Sequence, residues 1–171
     1  MGGQLSLLKL ETEHGGNLSL GKSKSRRPLS TKKPLHVVLR SSKACGPLSL
    51  LKQKHKIESI LRTQADRWQI RVFEHSVNGN HIHLAILGKS RTSLQNFFRS
   101  FAGLVARLVT GAEKSRPFGK FWDSILWTRL IEWGKALRTV RGYIVRNVME
   151  SMGLIPYERV KTRRRKTVLR V

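Results

Sequence analysis

Two histidines one residue apart, His81 and His83, and a tyrosine and an asparagine four apart, Tyr143 and Asn147, are the residues whose types and spacing could do chemistry together. The histidines lie in a short apolar run, Asn80-His81-Ile82-His83-Leu84-Ala85-Ile86. On a β-strand, residues two apart share a face, so the imidazoles stand about 6 to 7 Å apart along the strand while Ile82 and Leu84 point into a core. Two neutral imidazoles on one face can converge on a single cation, or they are simply two surface histidines of a half-buried strand. On a helix, Tyr143 and Asn147 occupy one face. The asparagine amide oxygen is a hard ligand suited to Mg²⁺ or Mn²⁺. The tyrosine phenol is a potential nucleophile, but an ordinary pKa near 10 leaves little phenolate at neutral pH. A metal ion answers that need by polarising a phosphoryl oxygen and stabilising charge on the leaving oxygen. Taken alone, the two residues also read as ordinary boundary positions of an amphipathic helix.

The elements that must position these groups follow from local pattern. Pro34 to Arg40 reads as a first strand, with His36, Val38 and Arg40 on one face. Cys45-Gly46-Pro47 breaks the chain before a helix from about Leu48 to Trp68, whose apolar stripe includes Leu50, Leu51, Ile57, Ile60 and Leu61. A strand over Gln69 to Val77, a tight turn at Asn78-Gly79 and a partner strand over Asn80 to Gly88 form a hairpin that carries the histidines. Thr92 or Ser93 can cap a second helix that runs to Thr110 and stops at Gly111, with Leu94, Phe97, Phe98, Phe101 and Val105 inward. Phe121 to Ile131 reads as a strand and Lys135 to Met152 as a last helix, with Leu137, Val140, Ile144 and Val148 inward. Strand, helix, strand, strand, helix, strand is the split βαβ order of an α+β, ferredoxin-like fold, here followed by a C-terminal helix carrying Tyr143. Right-handed crossovers put the first two helices on one sheet face and leave the other to the histidines.

Composition bounds the partner. Among 171 residues, 34 are Lys or Arg and 10 Asp or Glu, a formal charge of +24. Such a charge makes a compact state self-repelling unless a polyanion neutralises it, which points to nucleic acid. No apolar run approaches a membrane span, no secretory signal is visible, and the lone Cys45 excludes disulfide frameworks and cysteine-based zinc sites, so a cytoplasmic protein is expected. Residues 1–33 and 156–171 read as basic flexible arms flanking a domain over 34–155. Candidate phosphate contacts are Arg40, Arg99, Arg107, Arg141 and Arg146, with Arg163, Arg164 and Arg165 in the tail.

The combination resembles a family. Asn80-His81-Ile82-His83-Leu84 is similar to the His-hydrophobe-His signature of HUH single-strand DNA endonucleases. Arg141-Gly142-Tyr143-Ile144-Val145-Arg146-Asn147 resembles the tyrosine helix of the single-tyrosine transposases in that superfamily, particularly the REP-associated tyrosine transposases. Val148 departs from the pattern, since relatives often carry proline after this asparagine. The resemblance implies that Tyr143 attacks a phosphate in single-stranded DNA to form a 5′-phosphotyrosine link, with His81, His83 and Asn147 holding Mg²⁺ or Mn²⁺. It also implies DNA hairpins or palindromic repeats as partners, a prokaryotic, nucleoid-associated setting and a possible homodimer. Three other readings compete: a basic nucleic-acid binder without chemistry, a replication initiator or domesticated nuclease with the same chemistry, and a structural ribosome-associated protein.

Overall fold

The structure is a computed structural model and describes residues 12–23 and 25–156. Five strands, β1 (Glu13–His14), β2 (Leu35–Arg40), β3 (Ile70–Val77), β4 (His81–Gly88) and β5 (Trp127–Leu130), form one sheet in the order β1-β5-β2-β4-β3, every pair antiparallel. Among the described residues three α-helices accompany them: α1 (Lys54–Arg67), α2 (Arg91–Thr110) and α3 (Lys135–Ser151). Strands β5, β2, β4 and β3 take the order that a split βαβ unit dictates, so the ferredoxin-like expectation holds. Among the described residues, no helix is long and apolar enough to cross a membrane.

The period of two along β2 and β4 divides the sheet. Leu35, Val37 and Leu39 on β2 and Ile82, Leu84 and Ile86 on β4 are almost completely buried on one face. There they join Ile57 and Leu61 of α1 and Leu94, Phe97, Phe101 and Val105 of α2 in a single apolar cluster. The register pairs Arg40 with His81, Val38 with His83 and His36 with Ala85, which places all three histidines on the opposite face. That face is roofed by α3, which lies against β3 and β4 and buries Leu137 and Ile144.

Several boundaries differ from the expectation, each for a tertiary reason. The first helix begins at Lys54, six residues late, because the Leu50 N–H donates to Gly79 O of the hairpin turn (2.9 Å) and Leu50 is buried. The hairpin closes one residue later than Asn78-Gly79: the Asn78 N–H donates to His81 O (2.9 Å), leaving Gly79 and Asn80 at the tip, neither with a positive φ. The loop after β2 braces that tip, through Ser41 N–H to Asn80 O as well as Leu50. The cap of α2 is Ser90, whose hydroxyl accepts from Ser93 N–H at 3.0 Å. The last strand shrinks to four residues. Asp123 leaves the line to accept from Ser42 N–H (2.7 Å) and Ser42 Oγ (2.8 Å), so 121–126 runs as an irregular segment.

The N-terminal basic arm also differs. From residue 12 it lies along the sheet edge, where β1 pairs with β5. Arg27 holds it there, donating to Leu126 O (2.8 Å) and Thr128 Oγ1 (2.7 Å) and lying near His14 O. Burial lowers the Arg27 pKa to about 10. A guanidinium surrendering that much solvent is compensated by these hydrogen bonds, so the edge strand is a built feature of the fold. Residues 1–11 and 157–171, including Arg163, Arg164 and Arg165, lie outside the described residues.

Candidate active site

His81 and His83 do stand on one face, with ring centroids 4.8 Å apart and their planes nearly perpendicular. The face is not open, however: His83 is only 5 % exposed. The tertiary structure adds a third ring that spacing did not single out as a site residue. His36 on β2 stacks on His83 at 5.3 Å, and its Nε2 shares a hydrogen bond with His83 Nδ1 at 3.1 Å. The sequence signal was the position of His36 on the Val38 and Arg40 face; what converts it into a contact is the β2–β4 register.

That contact orients His83. With Nδ1 engaged by His36, the other nitrogen, Nε2, is buried and has no hydrogen-bond partner among the described residues. A buried polar nitrogen left unpaired costs about 1–3 kcal/mol, and a neutral imidazole braced through one nitrogen and bare at the other is how a metal-binding histidine is held. His81 is braced from the hairpin tip, its Nδ1 with Asn80 Oδ1 at 2.7 Å and its Nε2 with Asn78 Nδ2 at 3.1 Å. Burial is the main reason that all three rings stay neutral. It lowers His36 to about 4, assisted by Arg129, and it depresses His83 strongly, assisted by the neighbouring His81 and His36. His81 is also lowered by burial, against a hydrogen bond that it donates to the Asn147 side chain, which raises it, and with a smaller lowering by Arg40. Neutral imidazole is the ligand form.

α3 brings the second half of the site. Tyr143 is 43 % exposed and stands edge-on to His83 at 5.3 Å and to His36 at 6.2 Å. One turn later Asn147 reaches His81, while its Nδ2 donates to Tyr143 O at 2.8 Å. The four residues singled out by type and spacing therefore meet, from two elements sixty residues apart in the chain. The donors that could hold a divalent cation are the His81 and His83 nitrogens and the Asn147 oxygen. The bare His83 Nε2 fits such an ion, and His81 Nε2 would join it on release from Asn78. Among the described residues, no cluster of three or more His, Cys, Asp or Glu is placed to bind a metal, so Asn147 would have to complete it.

A cleft of about 920 Å³ opens beside these groups, lined by His36, His83 and Tyr143 together with Trp127, Arg40 and Arg129. Trp127 meets His36 edge-on at 5.3 Å. Of the candidate phosphate contacts, Arg40 lines this cleft, its side chain 70 % exposed and 4.0 Å from Asp123. Arg129 lines it as well, paired loosely with Glu13 at 3.7 Å, a position that sequence reasoning missed because its face depends on the β2–β5 register. The others are placed elsewhere. Arg141 pairs with Glu74 on β3, Arg146 pairs with Glu150 along the helix, and Arg99 and Arg107 are exposed on α2 across the sheet.

Comparison with known proteins bears on this arrangement. Residues 33–147 match the family model of the IS200-like transposases. A solved structure of a REP-associated tyrosine transposase bound to a REP hairpin is similar at a TM-score of 0.56 and 14 % identity, over 78 % of this chain and 76 % of that one. A candidate transposase from Deinococcus radiodurans R1 is similar at a TM-score of 0.42 and 14 % identity, over 74 % of this chain and 98 % of that one. No curated protein matches the sequence.

Proposed function

The chain belongs to the IS200-like transposase family, and from that premise we propose that it nicks and rejoins single-stranded DNA through a covalent bond to Tyr143. One observation carries the reading: the Tyr143 ring stands 5.3 Å from a histidine whose buried outer nitrogen is bare, at the wall of a cleft open to solvent.

In this reading the Tyr143 oxygen attacks the scissile phosphorus. The bond from phosphorus to the 3′ oxygen breaks and a tyrosine–phosphorus bond forms. The phenolic proton passes to solvent, and the departing 3′ oxygen gains one to become a free hydroxyl. A second strand's 3′ hydroxyl reverses these steps on the 5′-phosphotyrosine link, and because the link conserves the phosphodiester bond, no nucleotide hydrolysis is needed. His81, His83 and Asn147 are the residues that would hold Mg²⁺ or Mn²⁺, which when bound supplies charge stabilisation at the phosphoryl and leaving oxygens. His36 engages His83 Nδ1 and keeps Nε2 unpaired, and Arg40 and Arg129 attract the phosphates on either side. The tyrosine stands over histidines of its own chain, which supports a site complete without a partner copy; the homodimer is then an option rather than a requirement. The REP hairpin held by the structural relative supports hairpin DNA as the substrate class.

The test is a labelled single-stranded hairpin from palindromic repeats, incubated with protein and Mn²⁺ or Mg²⁺ and run on a denaturing protein gel. A labelled adduct is expected that requires metal and disappears in Tyr143→Phe and in the His81→Ala/His83→Ala double variant. Tight binding of such hairpins with no adduct under any metal would leave a basic nucleic-acid binder and overturn the enzymatic reading.

A further inference from the structure

The N-terminal segment supplies part of the cleft wall. Glu13, Gly16, Asn17 and Leu18 line it together with Arg40 and Tyr143, although these residues precede the stretch that matches the family. Their backbone is closely fitted to the sheet edge. Gly15, at φ 87°, lies so close to β5 that a Cβ would fall 2.1 Å from Leu126 O, and the Gly16 N–H donates to Ile125 O at 2.9 Å. Gly16, at φ 57°, turns the chain over Trp127, whose side chain a Cβ would meet at 3.2 Å. Arg27 bridges His14 O of the segment to Leu126 O and Thr128 Oγ1. Yet the two residues this scaffold presents at the cleft, Asn17 and Leu18, are exposed, and Leu18 keeps 46 % of its surface in water.

An anchored backbone displaying an exposed amide and an exposed apolar side chain in the wall of a cleft that also holds Tyr143, two arginines and their partners Glu13 and Asp123 is preorganised for a flexible ligand with flat apolar faces and polar edges. Unpaired nucleobases have that chemistry: they pack on apolar side chains and hydrogen-bond an asparagine amide through their edges. We propose that Gly16–Leu18 is a specificity-determining wall that reads the unpaired bases next to the scissile phosphate, Leu18 packing against a base and Asn17 bonding its edge. This rests on the strand-cleaving reading above. In that division of labour, Arg40 and Arg129 bind phosphate without regard to sequence and the N-terminal wall supplies the choice of base.

The experiment uses the full chain and a pool of hairpin oligonucleotides randomised in the single-stranded flank. Sequencing the DNA recovered as tyrosine adduct gives the base preference at each flanking position. In Asn17→Ala/Leu18→Ala the preference at one or two positions is expected to flatten about tenfold. Leu51→Ala, an exposed leucine ahead of α1, is the control and leaves the preference unaltered. In parallel, Tyr143→Phe protein is photocrosslinked to the same pool carrying 4-thiothymidine in the flank, and crosslinks are expected at Gly16–Leu18. An unaltered preference in the double variant, with crosslinks mapping elsewhere, would overturn the wall. Crosslinks at Gly16–Leu18 without any adduct from the unmodified protein would support the wall as a DNA contact and count against the cleavage chemistry instead.

Discussion

His36 shows how a residue that need not touch a reacting atom can govern one that does. It engages His83 Nδ1 and so leaves the buried Nε2 as the ring's unpaired nitrogen. His36→Ala is therefore expected to weaken Mn²⁺ binding by 10- to 100-fold, the usual cost of losing the partner behind a metal-binding histidine. Calorimetric titration of Mn²⁺ into the DNA-free protein measures this directly, and His36→Asn, which keeps a hydrogen-bonding side chain, should recover part of the loss. Equal affinity in His36→Ala would remove its positioning role. The same burial makes a pH prediction. The folded His36 binds its proton near pH 4 and the unfolded one near 6.5, so as pH falls the unfolded chain takes up the proton first. The stability is complete above about 6.5 and drains away down to about 4, and His36 alone accounts for about 3 kcal/mol of it. His83 is depressed in the same direction and extends the loss to lower pH. Urea unfolding of metal-free protein at pH 7.5 and 4.5 should show the decline, with a shallower slope in His36→Gln.

At the scale of elements, the sheet separates two tasks. Its buried face and helices α1 and α2 form the folding core, whereas α3 rests on the other face through few buried side chains, Leu137 and Ile144 above all. Gly88→Ala tests the first layer. A Cβ there would sit 2.4 Å from Leu94 Cγ, on a leucine with no exposed surface, so the β4–α2 contact must spread. A global loss of about 1–3 kcal/mol is expected in urea unfolding, in the range of other overpacked cores. Ile144→Ala tests the second layer. Removing a side chain buried to 0 % should cost about 2–5 kcal/mol of α3 docking, and because Ile144 lies outside the main cluster the loss should be local. Amide exchange should then quicken in 135–151 with little change in α2, and adduct formation should fall with it, since Tyr143 and Asn147 ride on that helix. Uniform acceleration across the sheet would show the two layers to be one cooperative unit.

Across the whole molecule, positive charge governs how the protein meets DNA. A formal +24 on 171 residues makes association with DNA strongly salt-dependent. Each phosphate contact to a single strand contributes about 0.7 to the slope of log K against log salt. Arg40→Ala and Arg129→Ala should each lower that slope by about 0.7, measured by fluorescence anisotropy on an unstructured oligonucleotide. Arg141→Ala, whose guanidinium faces Glu74 outside the cleft, should lower it less.

His81, His83, Tyr143 and Asn147 were legible as candidates because strand and helix periods put each pair on one face whatever surrounds them. The element order was legible for a related reason: apolar period, glycine stops and the hairpin turn are local signals. What depended on tertiary structure was everything set by pairing across the sheet. His36 becomes a partner of His83, and Arg129 a cleft residue, only through strand register, which no local pattern encodes. The short β5, the late start of α1 and the N-terminal edge strand arise from side chains and amides that bond to distant segments, Asp123 to Ser42, Leu50 to Gly79 and Arg27 to Leu126. Sequence alone determined which groups could react and which way each faced on its own element. The fold decided which of them meet, because convergence is a property of contacts between elements far apart in the chain.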